Sequence, residues 1–385
     1  MRYAVIGAGR QGTAAAYDMA RFGEAEEVRL LDLDDRVAAQ AAARINELIG
    51  RPVATGRGID VQDESTLATA LHGVDAALSG VPYFLNVGVA RAALEAGCHM
   101  NDLGGNTDIV RQELELDPWA RKRGVSIVPD CGLAPGMSNT LAAWGMTHFD
   151  RPVAARQYCG GLPQTPRPPL GYRQVFSFEG LANEYTGEAI VLRQGKRVSV
   201  AAFSECESID IEGVGALEAF YTSGGTSTCP WTFEGRLESY EYKTLRYPGH
   251  FALVKPLVDL GFLDRTPVNV EGRPVSPRSV AQALIGPRIH FPADPDMVVL
   301  RVEVAGEKEG RRQRFRMDVI DREDAATGFT AMERTTAFPA AIVSIMQARG
   351  QVAPGATPLE LAVPGGPFVE ELRKRGIPFE ARWLD

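Results

Sequence analysis

A glycine motif that interrupts the first apolar segment constrains the fold of this chain more than any other feature. Tyr3 to Ile6 form an apolar run typical of a β-strand, and Gly7-Ala-Gly9-Arg-Gln-Gly12 follows before an Ala-rich helical pattern. In this arrangement the first glycine permits a tight turn, the second lets the backbone approach a pyrophosphate, and the third lets the helix pack closely on the strand. The sequence therefore predicts a βαβ unit that binds a dinucleotide.

An acidic residue at the end of the second predicted strand indicates which dinucleotide is bound. Asp32 follows Gly12 by about 20 residues and ends an apolar run that contains Val28 and Leu30. A carboxylate at this place accepts hydrogen bonds from the ribose hydroxyls of NAD and repels the 2′-phosphate of NADP. Arg36 is the one nearby cation that can bind such a phosphate. NAD is therefore predicted in preference to NADP.

Composition and charge restrict the partners of this protein. The 385 residues suffice for two domains, and the net charge of −8 argues against nucleic acid or an anionic membrane as a partner. The sequence has no apolar run as long as a membrane span and no signal-peptide pattern, so a cytoplasmic protein is expected. The five cysteines and five histidines form neither a CxxC pair nor an HExxH motif, so no metal site is predicted.

Alternating strand and helix patterns continue to about residue 131. They predict a Rossmann-type α/β domain over residues 1–131, a doubly wound parallel sheet whose ligand crevice lies at the carboxyl ends of its strands. Two loops at such ends, residues 79–82 and 102–105, are expected to face the nicotinamide half of the cofactor. The alternative for each is a simple turn. The predicted helices lie at 13–22, 37–48, 64–71, 86–96 and 113–123. The predicted cofactor site consists of Gly7, Gly9, Arg10, Gln11, Gly12, Asp32, Ser79, Val81, Pro82 and Asp102.

A turn-rich hinge, residues 130–139, separates this pattern from a different one. It is predicted to lead into a helix over 140–146 with Ser138 or Asn139 as the N-cap. Period-2 segments then predict an α+β domain with a largely antiparallel sheet over residues 132–331. The segment 332–385, which starts in a long helical pattern, is expected to pack back on the first domain. The predicted strands of the second domain lie at 156–160, 173–177, 189–192, 208–211, 297–304 and 313–320.

Motifs beyond the glycine loop resemble the saccharopine dehydrogenase-like family, and within it the lysine 6-dehydrogenase branch. The resemblance covers nearly the whole chain. It implies NAD-dependent oxidative deamination of the ε-amine of L-lysine in lysine degradation, which gives ammonia and a 6-semialdehyde that cyclises to a piperideine carboxylate. It also implies a homo-oligomer, a dimer or higher, built through the second domain. The motifs include Asp130-Cys-Gly-Leu-Ala-Pro-Gly-Met-Ser-Asn139, Gly160-Gly-Leu-Pro163, Asn183-Glu-Tyr-Thr186 and Tyr242-Lys-Thr-Leu-Arg-Tyr-Pro-Gly-His250.

Oxidation of an amine sets requirements that particular side chains can meet. The nitrogen must lose a proton before a hydride leaves the adjacent carbon, and a lysine ε-ammonium has an ordinary pKa of about 10.4, so the site needs a base. His250, which titrates near neutral pH, and Asp130, at the end of a predicted strand, are candidates. The alternatives are a histidine that caps a turn and an aspartate that caps a helix. Tyr185 and Thr244 are candidate hydroxyls for orienting the amine or a water molecule.

Arginines are the candidates for binding the far end of the substrate. Arg246 is the first choice for a carboxylate, because a guanidinium binds it through two hydrogen bonds, and the alternative is a surface arginine. Arg173 is available for the further carboxylates of a conjugated substrate. Two other functions therefore stay open: a saccharopine- or carboxynorspermidine-type dehydrogenase acting on a secondary amine, and a catalytically silent NAD(H)-binding regulatory protein.

Overall fold

A computed structural model describes residues 1–384, and the chain divides into two compact units. Unit 1 comprises residues 1–144, 324–329 and 333–378; unit 2 comprises 145–323, 330–332 and the chain from 379 onward. The first unit thus continues past the boundary expected at residue 131. It also takes in most of the segment 332–385, whereas the last strand belongs to unit 2.

The helices and strands follow in chain order. They are β1 (Arg2–Ile6), α1 (Arg10–Phe22), β2 (Glu27–Asp32), α2 (Asp35–Ile49), β3 (Ala54–Gly58), α3 (Glu64–Leu71), β4 (Ala76–Ser79), α4 (Asn86–Ala96), β5 (His99–Asp102), α5 (Thr107–Leu114), α6 (Asp117–Arg123), β6 (Ser126–Val128), α7 (Met137–Met146), β7 (Arg151–Pro163), α8 (Phe178–Tyr185), β8 (Glu188–Arg193), β9 (Lys196–Ala201), β10 (Ser204–Ile211), β11 (Gly215–Tyr221), α9 (Cys229–Thr232), β12 (Ser239–Arg246), α10 (His250–Asp259), β13 (Val268–Val270), β14 (Arg273–Val275), α11 (Pro277–Ile289), β15 (Asp296–Lys308), β16 (Arg311–Arg322), α12 (Ala331–Ala348), β17 (Gly355–Ala356), α13 (Leu359–Ala362), α14 (Gly365–Lys374) and β18 (Glu380–Leu384).

Unit 1 contains a seven-stranded parallel sheet in the order β17-β6-β5-β4-β1-β2-β3. Its core is formed by apolar side chains of the strands and of the helices that connect them, among them Ile6, Leu67, Leu94, Met100 and Ile127. The strand order reverses between β1 and β4, so the loops at the carboxyl ends of these two strands border the crevice in which such sheets bind ligands. The predicted doubly wound parallel sheet is confirmed.

Unit 2 contains a nine-stranded sheet that is largely antiparallel, as predicted. Its main path runs β10-β11-β12-β7-β15-β16-β18, and β8 with β9 branches from β12. Only the β12–β7 pairing is parallel among the pairings of the described strands in this sheet. A second cluster of buried side chains, which contains Tyr172, Phe178, Phe203, Phe220 and Val254, joins α8 and α10 to the sheet.

Two local predictions are wrong for physical reasons. Residues 173–177 form no strand, because Arg173 turns its buried guanidinium to the backbone carbonyls of Asp294 and Pro292. The helix predicted over 113–123 is two helices, α5 and α6. Pro118 lies in the first turn of α6, where its missing N–H is tolerated, whereas a continuous helix would place it in the interior.

The start of α7 and the strand β3 also differ from expectation. Because α7 begins at Met137, Ser138 and Asn139 lie inside its first turn, and Oδ1 of Asn139 accepts the N–H of Gly136 from there at 2.9 Å. β3 was not predicted, since its sequence Ala-Thr-Gly-Arg-Gly has no apolar alternation. Gly56 is required within it, because a Cβ would lie 2.3 Å from the backbone of Ala38.

Candidate active site

The glycine loop of unit 1 has the geometry of a dinucleotide-binding turn. Gly7 has φ +93°, and its N–H donates to the carbonyl of Leu31 at 2.7 Å. A Cβ at Gly12 would lie 1.8 Å from the carbonyl oxygen of Gly7, so the start of α1 can approach β1 only with glycine there. A Cβ at Gly9, in contrast, would have no described atom of the protein within 4 Å. Open space therefore borders the loop where a pyrophosphate would lie.

Asp32 is fixed beside this loop at the carboxyl end of β2. Its Oδ2 accepts the N–H of Ala8 at 2.8 Å, and its Oδ1 accepts the N–H of Asp34 at 3.0 Å. Arg36, the cation that could favour a 2′-phosphate, is exposed and pairs with the carboxylate of Asp34 at 2.9 Å. The negative charge predicted for the ribose site is therefore present and positioned by the backbone.

The remaining predicted cofactor residues lie in different settings. Val81 is partly exposed and Pro82 is exposed in the loop after β4, whereas Ser79 is buried and donates to Oδ1 of Asn86 at 2.8 Å. Gln11 is partly buried in the first turn of α1. Beside it, Arg10 is half exposed, and its Nε lies 2.6 Å from Oε1 of Glu333. The Ser79 hydroxyl thus fixes the start of α4 and is not part of an open surface.

Asp102 is the last residue of β5, and its side chain is fully buried. Oδ1 accepts the N–H of Gly104 at 2.6 Å and that of Asp130 at 3.2 Å, so the carboxylate holds the loop after β5. The carboxyl of the fully buried Glu113 is close enough to interact electrostatically with Asp102, and two ionised carboxylates would repel, so Glu113 holds its proton. Burial raises the pKa of Glu113 to about 11 and that of Asp102 to about 6. Asp102 therefore supports the loop after β5, and its predicted contact with the cofactor stays a prediction.

Asp130 also lies within this buried group. Its backbone is left-handed with φ +62°, and its side chain is buried. Gly104 is required next to it, since a Cβ there would lie 2.0 Å from Oδ1 of Asp130. Helix α7 begins only at Met137, so Asp130 does not occupy its N-cap position. Its predicted contact with a substrate ammonium stays a prediction.

In unit 2, a buried arginine lies at the end of β12. β12 pairs with β11 on one side and β7 on the other, and strand alternation puts Tyr242, Thr244 and Arg246 on one face. The Arg246 side chain is 3 % exposed, and its guanidinium lies 4.7 Å from the ring centre of Tyr172. Its Nε donates to the Tyr185 hydroxyl at 2.8 Å, and Nη1 donates to the carbonyl of Leu245. The predicted carboxylate ligand is therefore a fixed, buried cation.

A hydrogen-bond relay connects this arginine to His250. The Tyr185 hydroxyl lies 3.0 Å from Nε2 of His250, and Nδ1 lies 3.0 Å from the carbonyl of Leu170. A carbonyl only accepts, so Nδ1 carries the hydrogen and the Tyr185 hydroxyl donates to Nε2. Burial and the charge of Arg246 lower the pKa of His250 to about 3. His250 is thus neutral near physiological pH with both nitrogens engaged, a setting that differs from the one its predicted acid–base role assumes.

The other two predicted residues of this unit lie in different places. The hydroxyl oxygens of Thr244 and Thr222 lie 2.7 Å apart, and Thr244 also donates to the Tyr242 hydroxyl at 3.3 Å. Arg173, in contrast, hydrogen-bonds the backbone of the segment before β15. The structure therefore groups Arg246, Tyr185 and His250, and it keeps Thr244 on the same strand face as Arg246. The guanidinium of Arg173 is used in hydrogen bonds to the backbone.

Sequence reasoning missed Glu184, which lies next to Arg246. We call Arg246, Tyr185, His250 and Glu184 the arginine cluster. Its Oε2 lies 3.7 Å from Nη2 of Arg246, and its side chain is 33 % exposed. Burial raises the pKa of Glu184 to about 7, and the positive charge of Arg246 opposes that rise. Glu184 lies in the motif Asn183-Glu-Tyr-Thr186, so its neighbour Tyr185 offered a signal, but the strand that brings Arg246 to it lies about 60 residues later.

Two family models match the chain. The one described as "Saccharopine dehydrogenase NADP binding domain" matches residues 3–128. The one described as "Saccharopine dehydrogenase C-terminal domain" matches residues 132–377, more than half of the chain. Together they cover both units.

Curated relatives match at low identity and over part of their length. Saccharopine dehydrogenase [NADP(+), L-glutamate-forming] of Schizosaccharomyces pombe is 27 % identical over 248 residues, 60 % of this chain and 52 % of that protein. Mitochondrial alpha-aminoadipic semialdehyde synthase of Mus musculus is 23 % identical over 267 residues, 64 % of this chain and 28 % of that protein. The chain thus spans about half the length of the first of these relatives and less of the second.

Solved structures share the fold. Apo histidine-tagged saccharopine dehydrogenase (L-Glu forming) from Saccharomyces cerevisiae superimposes with a TM-score of 0.79 at 19 % identity over 100 % of both chains. A homospermidine synthase from Legionella pneumophila in complex with NAD gives a TM-score of 0.68 at 11 % identity, over 100 % of this chain and 91 % of the other. At these identities the likeness establishes the architecture alone.

Proposed function

This chain belongs to the saccharopine dehydrogenase family, and we propose that it is an NAD-dependent dehydrogenase that oxidises the ε-amine of L-lysine. One observation carries the proposal: a chain with a dinucleotide-binding loop also holds a buried guanidinium, Arg246, next to the partly exposed carboxyl of Glu184. A cation and an anion in this arrangement suit an amino acid. The names of two relatives, a saccharopine dehydrogenase and an alpha-aminoadipic semialdehyde synthase, support an amino-acid-related substrate.

NAD is the proposed cofactor because of the residues at the end of β2. Asp32 accepts two backbone N–H groups beside the glycine loop, and a 2′-phosphate at the same place would meet its negative charge. The family model that covers this unit is described as NADP-binding. The choice of NAD therefore rests on Asp32 and on the pairing of Arg36 with Asp34.

When bound, the nicotinamide accepts the hydride from the carbon that carries the amine. The balanced reaction converts the lysine ammonium, NAD⁺ and water into the 6-semialdehyde, NADH, an ammonium ion and one proton. A group of this chain must hold the proton released before hydride transfer. The pKa of His250, which burial and the charge of Arg246 lower to about 3, makes His250 a poor acceptor of that proton near neutral pH.

A second candidate function is a dehydrogenase that acts on a secondary amine of saccharopine type. The names of the curated and structural relatives favour it, since saccharopine carries such an amine. A larger substrate with several carboxylates would need several cationic partners. Against this, Arg173 already bonds two backbone carbonyls, which leaves Arg246 as the buried arginine of the cluster.

Product analysis separates the two candidates. Purified protein with NAD⁺ and L-lysine at alkaline pH is expected to form NADH and ammonia in equal amounts. A secondary amine such as saccharopine would release a primary amine in place of ammonia. NADH formation from saccharopine but not from lysine would replace the first candidate by the second. No turnover on either substrate, with NADH still bound, would favour a regulatory protein.

A further inference from the structure

The carboxyl of Glu184 and the guanidinium of Arg246 are close enough to act on one small ligand. Oε2 and Nη2 lie 3.7 Å apart, which is longer than a hydrogen bond, so they attract each other without closing a direct contact. A guanidinium has five N–H donors. Only Nε and Nη1 donate to acceptors among residues 1–384, to the Tyr185 hydroxyl and the Leu245 carbonyl.

The unused donors of Arg246 indicate a missing acceptor. The side chain is 3 % exposed, and unpaired N–H groups of a buried cation are costly, so a ligand carboxylate would satisfy them with two charge-assisted hydrogen bonds. The ring of Tyr172, whose centre lies 4.7 Å from the guanidinium, and the hydroxyl of Tyr185 hold the guanidinium in place before a ligand arrives. Little side-chain entropy is therefore lost on binding.

Glu184 is the complementary half of this pair. It lies on α8, whose start is fixed by the Ser177 hydroxyl as it accepts the N–H of Gly180. The carboxyl makes no hydrogen bond within the described chain, residues 1–384, and a third of its side chain is exposed. An ammonium that approached from solvent would thus find an available anion next to the guanidinium.

We propose that Arg246 and Glu184 form a zwitterion-binding pair that takes the α-carboxylate and the α-ammonium of a free L-α-amino acid. The two ligand charges sit on one carbon, which matches two opposite protein charges a few ångströms apart. The pair selects amino acids whose reacting amine is on the side chain, and rejects diamines, which lack the carboxylate, and ω-amino acids, which lack the α-ammonium. The identity of that reacting amine rests on the proposed function.

Three amines test the pair: L-lysine, 6-aminohexanoate, which lacks the α-ammonium, and pentane-1,5-diamine, which lacks the carboxylate. Calorimetric affinities for the protein with NADH bound are measured together with kcat/KM for NADH formation. The intact protein is expected to bind L-lysine at least tenfold more tightly than either analogue. Glu184→Gln is expected to weaken L-lysine binding by about tenfold and to leave 6-aminohexanoate within about twofold, so the preference disappears.

Glu179→Gln is the matched control on the same helix. Glu179 pairs with Arg265 and Arg278, outside the arginine cluster, so its loss should leave the preference unchanged. Equal losses for L-lysine and 6-aminohexanoate in Glu184→Gln would overturn the proposal and indicate a base or a structural role. Equal affinities of the intact protein for L-lysine and 6-aminohexanoate would also overturn it. Selective binding without NADH formation would support the pair and reject the proposed function, since the calorimetry does not depend on turnover.

Discussion

The phenol oxygen of Tyr185 lies 2.8 Å from Nε of Arg246, so a single hydroxyl anchors a guanidinium that is 3 % exposed. The same hydroxyl donates to Nε2 of His250. Tyr185→Phe removes both hydrogen bonds and leaves two buried groups unpaired. We expect the free energy of unfolding to fall by about 1–3 kcal/mol and KM for the amine to rise, because Arg246 loses its fixed position.

Chemical denaturation and steady-state kinetics check this expectation. Tyr83→Phe is the control, since the Tyr83 hydroxyl makes no hydrogen bond within residues 1–384 and the same atom is removed. Its free energy of unfolding should change by less than about 0.5 kcal/mol. Equal stability of the two variants would mean that the hydroxyl of Tyr185 is not holding the guanidinium.

The dinucleotide loop gives a prediction that contrasts two glycines. Gly9 has φ −68° and open space around its Cβ position, so Gly9→Val fits the protein but fills the space of a pyrophosphate. Gly12→Val places a Cβ 1.8 Å from the Gly7 carbonyl oxygen, so α1 must move away from β1. We expect Gly9→Val to weaken the affinity for NADH at least tenfold with an unchanged Tm. We expect Gly12→Val to lower both the affinity for NADH and the Tm.

NADH fluorescence titration and a thermal melt measure the two effects separately. A Gly9→Val protein that binds NADH as tightly as the parent would show that the cofactor does not lie against this loop.

Local geometry explains why the sequence predicts unit 1 well. Gly7 is required by its own positive φ and Gly12 by the nearby carbonyl of Gly7, and the alternation of apolar strands and helices follows from the local sequence. β17 could not be predicted, because its two residues, Gly355–Ala356, carry no pattern and become a strand only by pairing with β6, more than 200 residues earlier.

The candidate site also combines residues that the local sequence pattern relates with residues that only tertiary contacts bring together. Strand alternation along β12 relates Thr244 to Arg246, so their shared face is implied by the sequence. Glu184 belongs to the site only because tertiary pairing brings Arg246 to α8, and the sequence pattern around Glu184 does not show that contact. Glu113 is likewise a buried neighbour of Asp102, a helical acid that nothing in the local pattern separates from a solvated one.

Asp32 gives a prediction about cofactor choice. Asp32→Asn keeps an oxygen that can accept the N–H of Ala8 and removes the charge that would repel a 2′-phosphate. We expect the ratio of kcat/KM for NAD over NADP to fall by about tenfold, equivalent to 1.4 kcal/mol. Asp35→Asn is the control, since Asp35 accepts the N–H of Gly58 instead. An unaltered ratio in Asp32→Asn would show that another group sets the preference.

The buried carboxyl of Glu113 makes stability depend on pH. Glu113 has its pKa raised to about 11 by burial and by the neighbouring carboxylates, whereas the unfolded chain releases this proton near its ordinary value of 4.5. Between these values the folded state holds one more proton than the unfolded state, so this group's contribution to stability is complete below pH 4.5 and falls as pH rises. The limiting slope is about 1.4 kcal/mol per pH unit.

Glu113→Gln should remove that slope, because the amide keeps the shape of the side chain but does not titrate. We expect the difference in unfolding free energy, variant minus parent, to become more positive from pH 6 to pH 9, by at least about 1 kcal/mol. Denaturant unfolding at both pH values measures it, and the partly exposed Glu64→Gln, whose parent carboxylate pairs with Arg91, serves as the control. A difference that stays constant between pH 6 and pH 9 would mean that Glu113 is ionised in the folded protein, in which case the loop after β5 would rest on two charged carboxylates.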